Sequence, residues 1–195
     1  ITSFDFGWVN TSLMGGQARQ VNSLFTGTSL SANIPLPGEG ASQRQRIRMA
    51  SDLLDEAGYP LRDGTRFTLG LILNDGAQEK IALYWAQSLK RLGITLDIRT
   101  LDTAQFVGAL NEYDYDLVSH RWVNSLSPGT EQMLYWSCEA AETPGSRNYS
   151  GLCDKEIDQL AQAVAQAQTT QDLTQASQAL DRAVMQSHIL VPLGG

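Results

Sequence analysis

The chain has 195 residues, 42% hydrophobic and 18% charged, enough for one globular domain, or two small ones, with a sizeable core. Its formal net charge is −7, from 14 Lys+Arg against 21 Asp+Glu. An acidic chain without a basic run argues against nucleic acid as a partner, because phosphate contacts need clustered Lys and Arg.

Residues 1–41 are rich in Gly, Ser, Thr and Asn, with Phe4, Phe6, Trp8, Val9 and Leu13 set in that polar background. The pattern predicts a short helix over Ser3 to Met14, stopped by Gly15-Gly16, then a strap through Pro35 and Pro37 to Gly40. Ser42 and Gln45 predict a capping box. Ile47, Ala50, Leu54 and Ala57 mark the stripe of the helix that follows, and Gly58 its end. Arg44, Arg46 and Arg48 do not all lie on one helical face, since alternate residues point apart, and read as a solvated helix start.

A strand over Phe67–Leu73 is apolar on both faces, as a strand buried on both sides should be. Asn74-Asp75-Gly76 is a turn. Ile81, Trp85, Leu89 and Leu92 then repeat at helical spacing up to Gly93. Ile94, Leu96 and Ile98 alternate with polar residues as a second strand. Asp102 and Gln105 open a short helix with Phe106 and Leu110 inward, and a third strand is predicted over 115–122. The order β-α-β-α-β, with connections long enough for crossover helices, predicts parallel neighbours and right-handed crossovers. Ligands on such sheets lie beyond the carboxyl ends of the strands, which puts Trp122 at the expected place.

A polar loop follows, carrying Asn124, Ser125, Ser127, Glu131, Tyr135, Trp136, Arg147, Asn148 and Tyr149. Aromatic faces among uncharged hydrogen-bonders and one cation suit the gripping of a mixed polar and apolar molecule. Trp122, Trp136 and Tyr149 are either stacking platforms or anchors for the loop. Met133, Leu134 and Tyr135 predict a short helix. Two closing helices are marked by Asp154 with Ile157, Leu160 and Val164, and by Leu173, Ala176, Leu180 and Val184 from about Gln171. Val191-Pro192-Leu193 has a strand-like pattern that stops short, and with the start at Ile1 it suggests a piece of a longer protein.

Catalytic signatures are missing: no GxSxG, SxxK, HExxH or P-loop. His120 and His188 stand alone, and Asp114 and Asp116 read as solvated strand-entry residues. Without CxxC or a Cys/His cluster, no metal is expected, and no cofactor. Cys138 and Cys153 bracket a Pro/Gly-containing loop and are either unrelated thiols or a pair formed in an oxidising compartment.

Several stretches together resemble the bacterial family 5 extracellular solute-binding proteins, which deliver oligopeptides and similar solutes to ABC importers. They are Leu53-Leu54-Asp55-Glu56-Ala57-Gly58-Tyr59-Pro60 with Asp63-Gly64, Leu89-Lys90-Arg91-Leu92-Gly93-Ile94, Asp102 to Phe106, Tyr115-Asp116, Arg147-Asn148-Tyr149-Ser150-Gly151 and Asp154 to Leu160. Ser127 to Trp136 and Gly145-Ser146-Arg147-Asn148 resemble the branch of microcin C and murein-type peptide binders. The peptide-binding relatives carry an aspartate just after the strand-end Trp to pair with the peptide amino terminus; Val123-Asn124-Ser125 offers no such acid.

The resemblance implies an α/β, periplasmic binding protein-like lobe with a βαβαβ core and C-terminal helices, one of two lobes that enclose a ligand. Its parts would be a strap and short helix (1–41), the βαβ core (42–122), a ligand-facing loop (123–150), and closing helices and a strand (151–195). It implies a monomeric, non-enzymatic protein, periplasmic or anchored at the cell surface, that takes a peptide or peptide-like molecule and passes it to a membrane ABC permease. Trp122, Asn124, Ser125, Ser127, Glu131 and Arg147 are the expected ligand-binding residues, and Cys138–Cys153 the expected disulfide. Apolar surface near Phe4, Phe6 and Trp8 is expected to be exposed towards the other lobe. The rival readings are a sensory or regulatory domain of the same fold and an α/β hydrolase or transferase.

Overall fold

The central strand explains the architecture. The computed structural model describes residues 1–194. In it, α1 (Phe6–Leu13) and α2 (Gln43–Glu56) precede β1 (Phe67–Leu73), α3 (Gly76–Arg91), β2 (Ile94–Thr100), α4 (Thr103–Glu112) and β3 (Leu117–Val118). The strands form one sheet in the order β2-β1-β3. Both pairings are parallel, from Phe67↔Ile94 to Leu73↔Thr100 on one side and Leu71↔Leu117 and Ile72↔Val118 on the other. Leu71 and Leu73 pack with Ala82 of α3, whereas Ile72 packs with Phe106 and Ala109 of α4. A strand apolar on both faces thus has a helix for each face.

The helix starts follow the sequence. Asp5, Ser42, Asp75, Asp102 and Asp154 each accept a hydrogen bond from a first-turn backbone N–H, and Ser42 with Gln45 forms the full capping box. The third strand is shorter than its pattern predicts. Asp116 Oδ2 accepts from the Gly70 amide at 2.7 Å and so occupies a ladder position with a side chain. At the other end, Ser119 N donates to Ile72 O at 3.1 Å, and β1 ends one residue later. With nothing left to pair, the chain leaves the sheet at His120.

The second half is helical: α5 (Glu131–Trp136), α6 (Cys138–Glu142), α7 (Lys155–Gln166) and α8 (Thr170–Gln186). Tyr135 and Trp136 of α5, Ile157, Ala161 and Val164 of α7, and Leu180 and Val184 of α8 form its core. The strand-like residues Val191 and Leu193 join no ladder. They pack instead on the cluster of Phe4, Phe6, Val9 and Trp85.

Residues 1–41 brace the two halves. On the sheet side, Trp85 Nε1 donates to Ser3 Oγ at 3.0 Å, Gln43 Nε2 to Ser3 O at 2.9 Å, and Arg46 Nη1 to Phe4 O at 3.1 Å. Arg46 is therefore a tie for the strap, not a solvated residue. On the helical side, the fully buried Asp181 of α8 accepts from Ser23 Oγ, Leu24 N and Ala32 N, each at 2.7 Å. The exposed apolar surface expected near Phe4, Phe6 and Trp8 is found at Trp8 and not at the two phenylalanines. They are only 6% and 8% exposed, since Phe4 lies edge-on to Trp85 and both enter the first core cluster. Trp8 alone keeps a large exposed area, and it stacks on Tyr84 at 3.8 Å. Among the described residues no helix is long and apolar enough to cross a membrane.

Candidate functional site

Beyond the carboxyl end of β3, four aromatic rings meet. His120 lies edge-on to Tyr149 at 4.3 Å and to Trp122 at 5.1 Å, and Trp122 is tilted against Trp136 at 5.5 Å. Their environments differ. Trp136 is 1% exposed and belongs to the helical core, so it anchors the loop. Trp122 and Tyr149 are half-buried, and His120 is exposed. Partial desolvation of the ring where it meets Tyr149 and Trp122, and then the charge of Arg147, hold the His120 imidazole below its ordinary pKa. The ring therefore tends to stay neutral beside the guanidinium.

The loop between Trp122 and α5 is held by a relay of amides. Trp136 Nε1 donates to Gln132 Oε1 at 3.2 Å, Gln132 Nε2 to Asn124 Oδ1 at 3.0 Å, and Asn124 Nδ2 to Leu24 O at 2.9 Å. Asn124 thus spends both ends of its amide on the chain itself and positions the loop against the strap. Ser125 Oγ accepts from Ser127 N at 2.9 Å, and Glu131 Oε2 accepts from Gly129 N at 2.9 Å. Ser125 and Ser127 remain exposed, beside the strongly exposed Val123 and Leu126 (77% and 85%). Trp122 Nε1 and Glu131 Oε1 are enclosed without a hydrogen-bond partner among the described residues.

The segment around Arg147 carries the Tyr149 ring of this cluster. Asn148 is fully buried; its Nδ2 donates to Ser137 O and Leu152 O, both at 3.0 Å. Tyr113 Oη donates to Asn148 O and Tyr115 Oη to Tyr149 O, both at 2.7 Å. Burial, then Tyr113 and Tyr149, raise the Tyr115 pKa, which keeps that hydroxyl a donor. Cys138 and Cys153 are joined, with Cα atoms 4.4 Å apart, and close the segment at its base.

The structure thus brings Trp122 together with His120, Tyr149 and Trp136, leaves Ser125, Ser127 and Arg147 exposed, and turns Asn124 inward. Three positioning or lining residues lacked a clear sequence signal. His120 looked like an isolated histidine. In the Tyr-Asp-Tyr run the tyrosines, and not the acids, carry the loop. Asp114 is spent on Arg99 at 3.4 Å and Asp116 on Gly70 N. Among the described residues no group of His, Cys, Asp and Glu could hold a metal ion.

Comparison with known proteins gives a consistent picture. The family model described as bacterial extracellular solute-binding proteins, family 5 Middle, matches residues 2–143. The protein y4wM of Sinorhizobium fredii is 31% identical over 98% of this chain and 34% of its own length. The peptidoglycan-binding protein YepA of Agrobacterium fabrum is 29% identical over 98% of this chain and 37% of its own. Among solved structures, the Escherichia coli murein tripeptide binding protein MppA superposes with a TM-score of 0.79 at 19% identity, over 98% of this chain and 37% of that one. The likeness to MppA shows the shared fold. The chain spans about a third of the length of the curated relatives it matches.

Proposed function

The chain belongs to the bacterial extracellular solute-binding proteins of family 5, and from that premise we propose that it forms one ligand-facing lobe of a protein that captures peptides or peptide-like solutes for an ABC-type importer. The observation that carries this reading is the position of the aromatic cluster. Trp122, Tyr149 and His120 lie beyond the carboxyl end of a parallel strand, where open α/β sheets bind ligands. Half-buried rings offer apolar area to side chains, and the turn at Ser125 to Ser127 offers hydrogen bonds. A site of this kind binds without turning over. It is supported by relatives whose names describe binding, such as the peptidoglycan-binding YepA and the murein tripeptide-binding MppA.

Affinity would come from closure of a second lobe, because an enclosed ligand buries roughly 70–90% of its surface. The protein would act outside the cytoplasmic membrane as a monomer, and would meet its permease through the full-length polypeptide. Trp122, Ser125, Ser127, Glu131 and Arg147 would face the ligand, with Asn124 setting the loop. Native mass spectrometry of the full-length protein, purified without denaturation, tests the reading. The expected result is a bound peptide or peptide-like mass that denaturation releases. A ligand-free protein that gives no calorimetric heat with a mixed peptide pool would overturn it.

A further inference from the structure

The charges of α2 run against the helix's own dipole. Acids at the start of a helix and bases at its end are the stabilising order. Yet α2 carries Arg44, Arg46 and Arg48 in its first half and Asp52, Asp55 and Glu56 in its second. Two of these six are engaged within the chain. Arg46 Nη1 donates to Phe4 O at 3.1 Å, and Asp55 pairs with Arg66 at 2.7 Å. Arg44, Arg48, Asp52 and Glu56 are exposed and join neither ion pair found among the described residues, Arg66–Asp55 and Arg99–Asp114. They recur at every fourth position, and Arg48 precedes Asp52, the weaker order for a pair within one helix. The stability of the helix itself therefore does not account for them.

The same outer surface carries apolar area. Met49 and Leu53, one turn apart, are 41% and 54% exposed. The inner stripe of Ile47, Ala50 and Leu54 packs with Trp85, Leu89 and Leu92, so the helix cannot roll Met49 and Leu53 inward without giving up those contacts. Its outward side thus presents bases in the first half, acids in the second, and apolar area in between. Turned end for end, that order is its own complement.

We propose that the outer side of α2 is a docking surface for a second copy of this chain, the two α2 helices lying antiparallel about a twofold axis near their centres. Arg44 and Arg48 of each copy then face Asp52 and Glu56 of the other, and Met49 of each meets Leu53 of the other. A twofold contact requires a self-complementary patch, which this charge order supplies, whereas an unrelated partner would have to repeat the same order. The helix has 14 residues and is about 21 Å long. One helix side of that length falls short of the roughly 800 Å² per partner of a standard interface, so the pairing is weak and reversible. None of these residues belongs to the aromatic cluster beyond β3. Each copy keeps its own ligand site and remains the unit of binding, and the pairing does not rest on what that site binds.

Sedimentation velocity on the full-length protein, from about 10 μM to about 1 mM at low salt, tests the pairing. The expected result is a monomer–dimer equilibrium that about 1 M salt shifts towards the monomer, because the facing charges are screened. Arg44→Glu with Arg48→Glu leaves four acids on the surface, and Asp52→Arg with Glu56→Arg leaves four bases. Each double variant should weaken self-association by about tenfold or more, and an equimolar mixture of the two should restore it as a heterodimer. All four positions are exposed, so both variants should melt close to the unmodified protein; if one fails to fold, the single changes Arg48→Glu and Asp52→Arg take its place. A protein that stays monomeric at the highest concentration overturns the proposal. So does an association that neither variant weakens, or a mixture that associates no better than its components.

Discussion

Asp181→Ala is the most exacting test of how the strap is held. The carboxylate is fully buried and accepts three hydrogen bonds of 2.7 Å, from Ser23 Oγ, Leu24 N and Ala32 N. Truncation leaves three donors unpaired in an enclosed place. Ser23 Oγ cannot simply turn away, because it also accepts from Phe25 N at 2.9 Å. Each orphan costs about 1–3 kcal/mol, and the terms are not additive where water can enter, so a loss of about 3–5 kcal/mol is expected. Asp181→Asn keeps one oxygen for Leu24 N but sets an NH₂ against Ala32 N–H, and should cost about 1–3 kcal/mol. Urea unfolding with linear extrapolation measures both. Hydrogen exchange at Leu24 and Ala32 should speed up in the same order. A loss below about 1 kcal/mol in Asp181→Ala, with exchange at Leu24 and Ala32 unchanged, would refute the reasoning, since the magnitude comes from leaving buried donors unpaired.

Replacing both Cys138 and Cys153 by Ser should cost about 3 kcal/mol in the chain-entropy model; non-reducing peptide mapping of exported material should find the bond, and two free thiols would contradict it. Trp122→Ala should weaken ligand binding by roughly 1–3 kcal/mol and leave the fold largely intact. Trp136→Ala should instead cost about 3–5 kcal/mol of stability, so calorimetry and thermal denaturation on the two variants separate a ligand platform from a loop anchor. His120 gives a pH signature. Partial desolvation, and then Arg147, lower its pKa in the folded state, so the unfolded chain takes up the proton first as pH falls. The stability it contributes is whole above the ordinary value of about 6.5 and is lost as pH falls through the folded value. Stability curves across that window should flatten in His120→Gln; an unchanged slope would count against the assignment.

Local order was legible because it has local causes. Alternation of Phe67 to Leu73, the stripe of Trp85 and Leu89, and carboxylates or hydroxyls at helix starts each act within a few residues. The third strand was overdrawn because its length depends on where β1 ends and on Asp116 competing for the ladder. Arg46 and Asp181 were missed because their partners lie far away in the chain. A signal for Asp181 did exist: Ser177 and Asp181 interrupt the face of α8 marked by Leu173, Leu180 and Val184, and a polar residue on an apolar stripe asks for a partner. In the loop no periodicity fixes which way a side chain turns. Trp122 was placed at the right end of the sheet, yet Asn124 faces inward because Gln132 and Leu24 claim its amide.

The brace between Ser23 and Asp181 also has a consequence for the order in which the chain assembles. Phe67↔Ile94 and Leu71↔Leu117 pair residues a few dozen positions apart, and α7 and α8 are neighbours in sequence. The partners of Ser23 and Ala32 lie 158 and 149 residues downstream. Loop closure over such a span is costly before any contact rewards it. During synthesis the strap emerges well before α8 and can close on Asp181 only after it, and Phe25 and Leu30, buried in the finished fold, lie in that waiting segment. Two apolar residues waiting in a polar strap are a modest exposure. The Gly, Ser, Thr and Asn around them keep that waiting segment soluble, which gives a physical reason for so polar a sequence in a stretch that ends up buried in part.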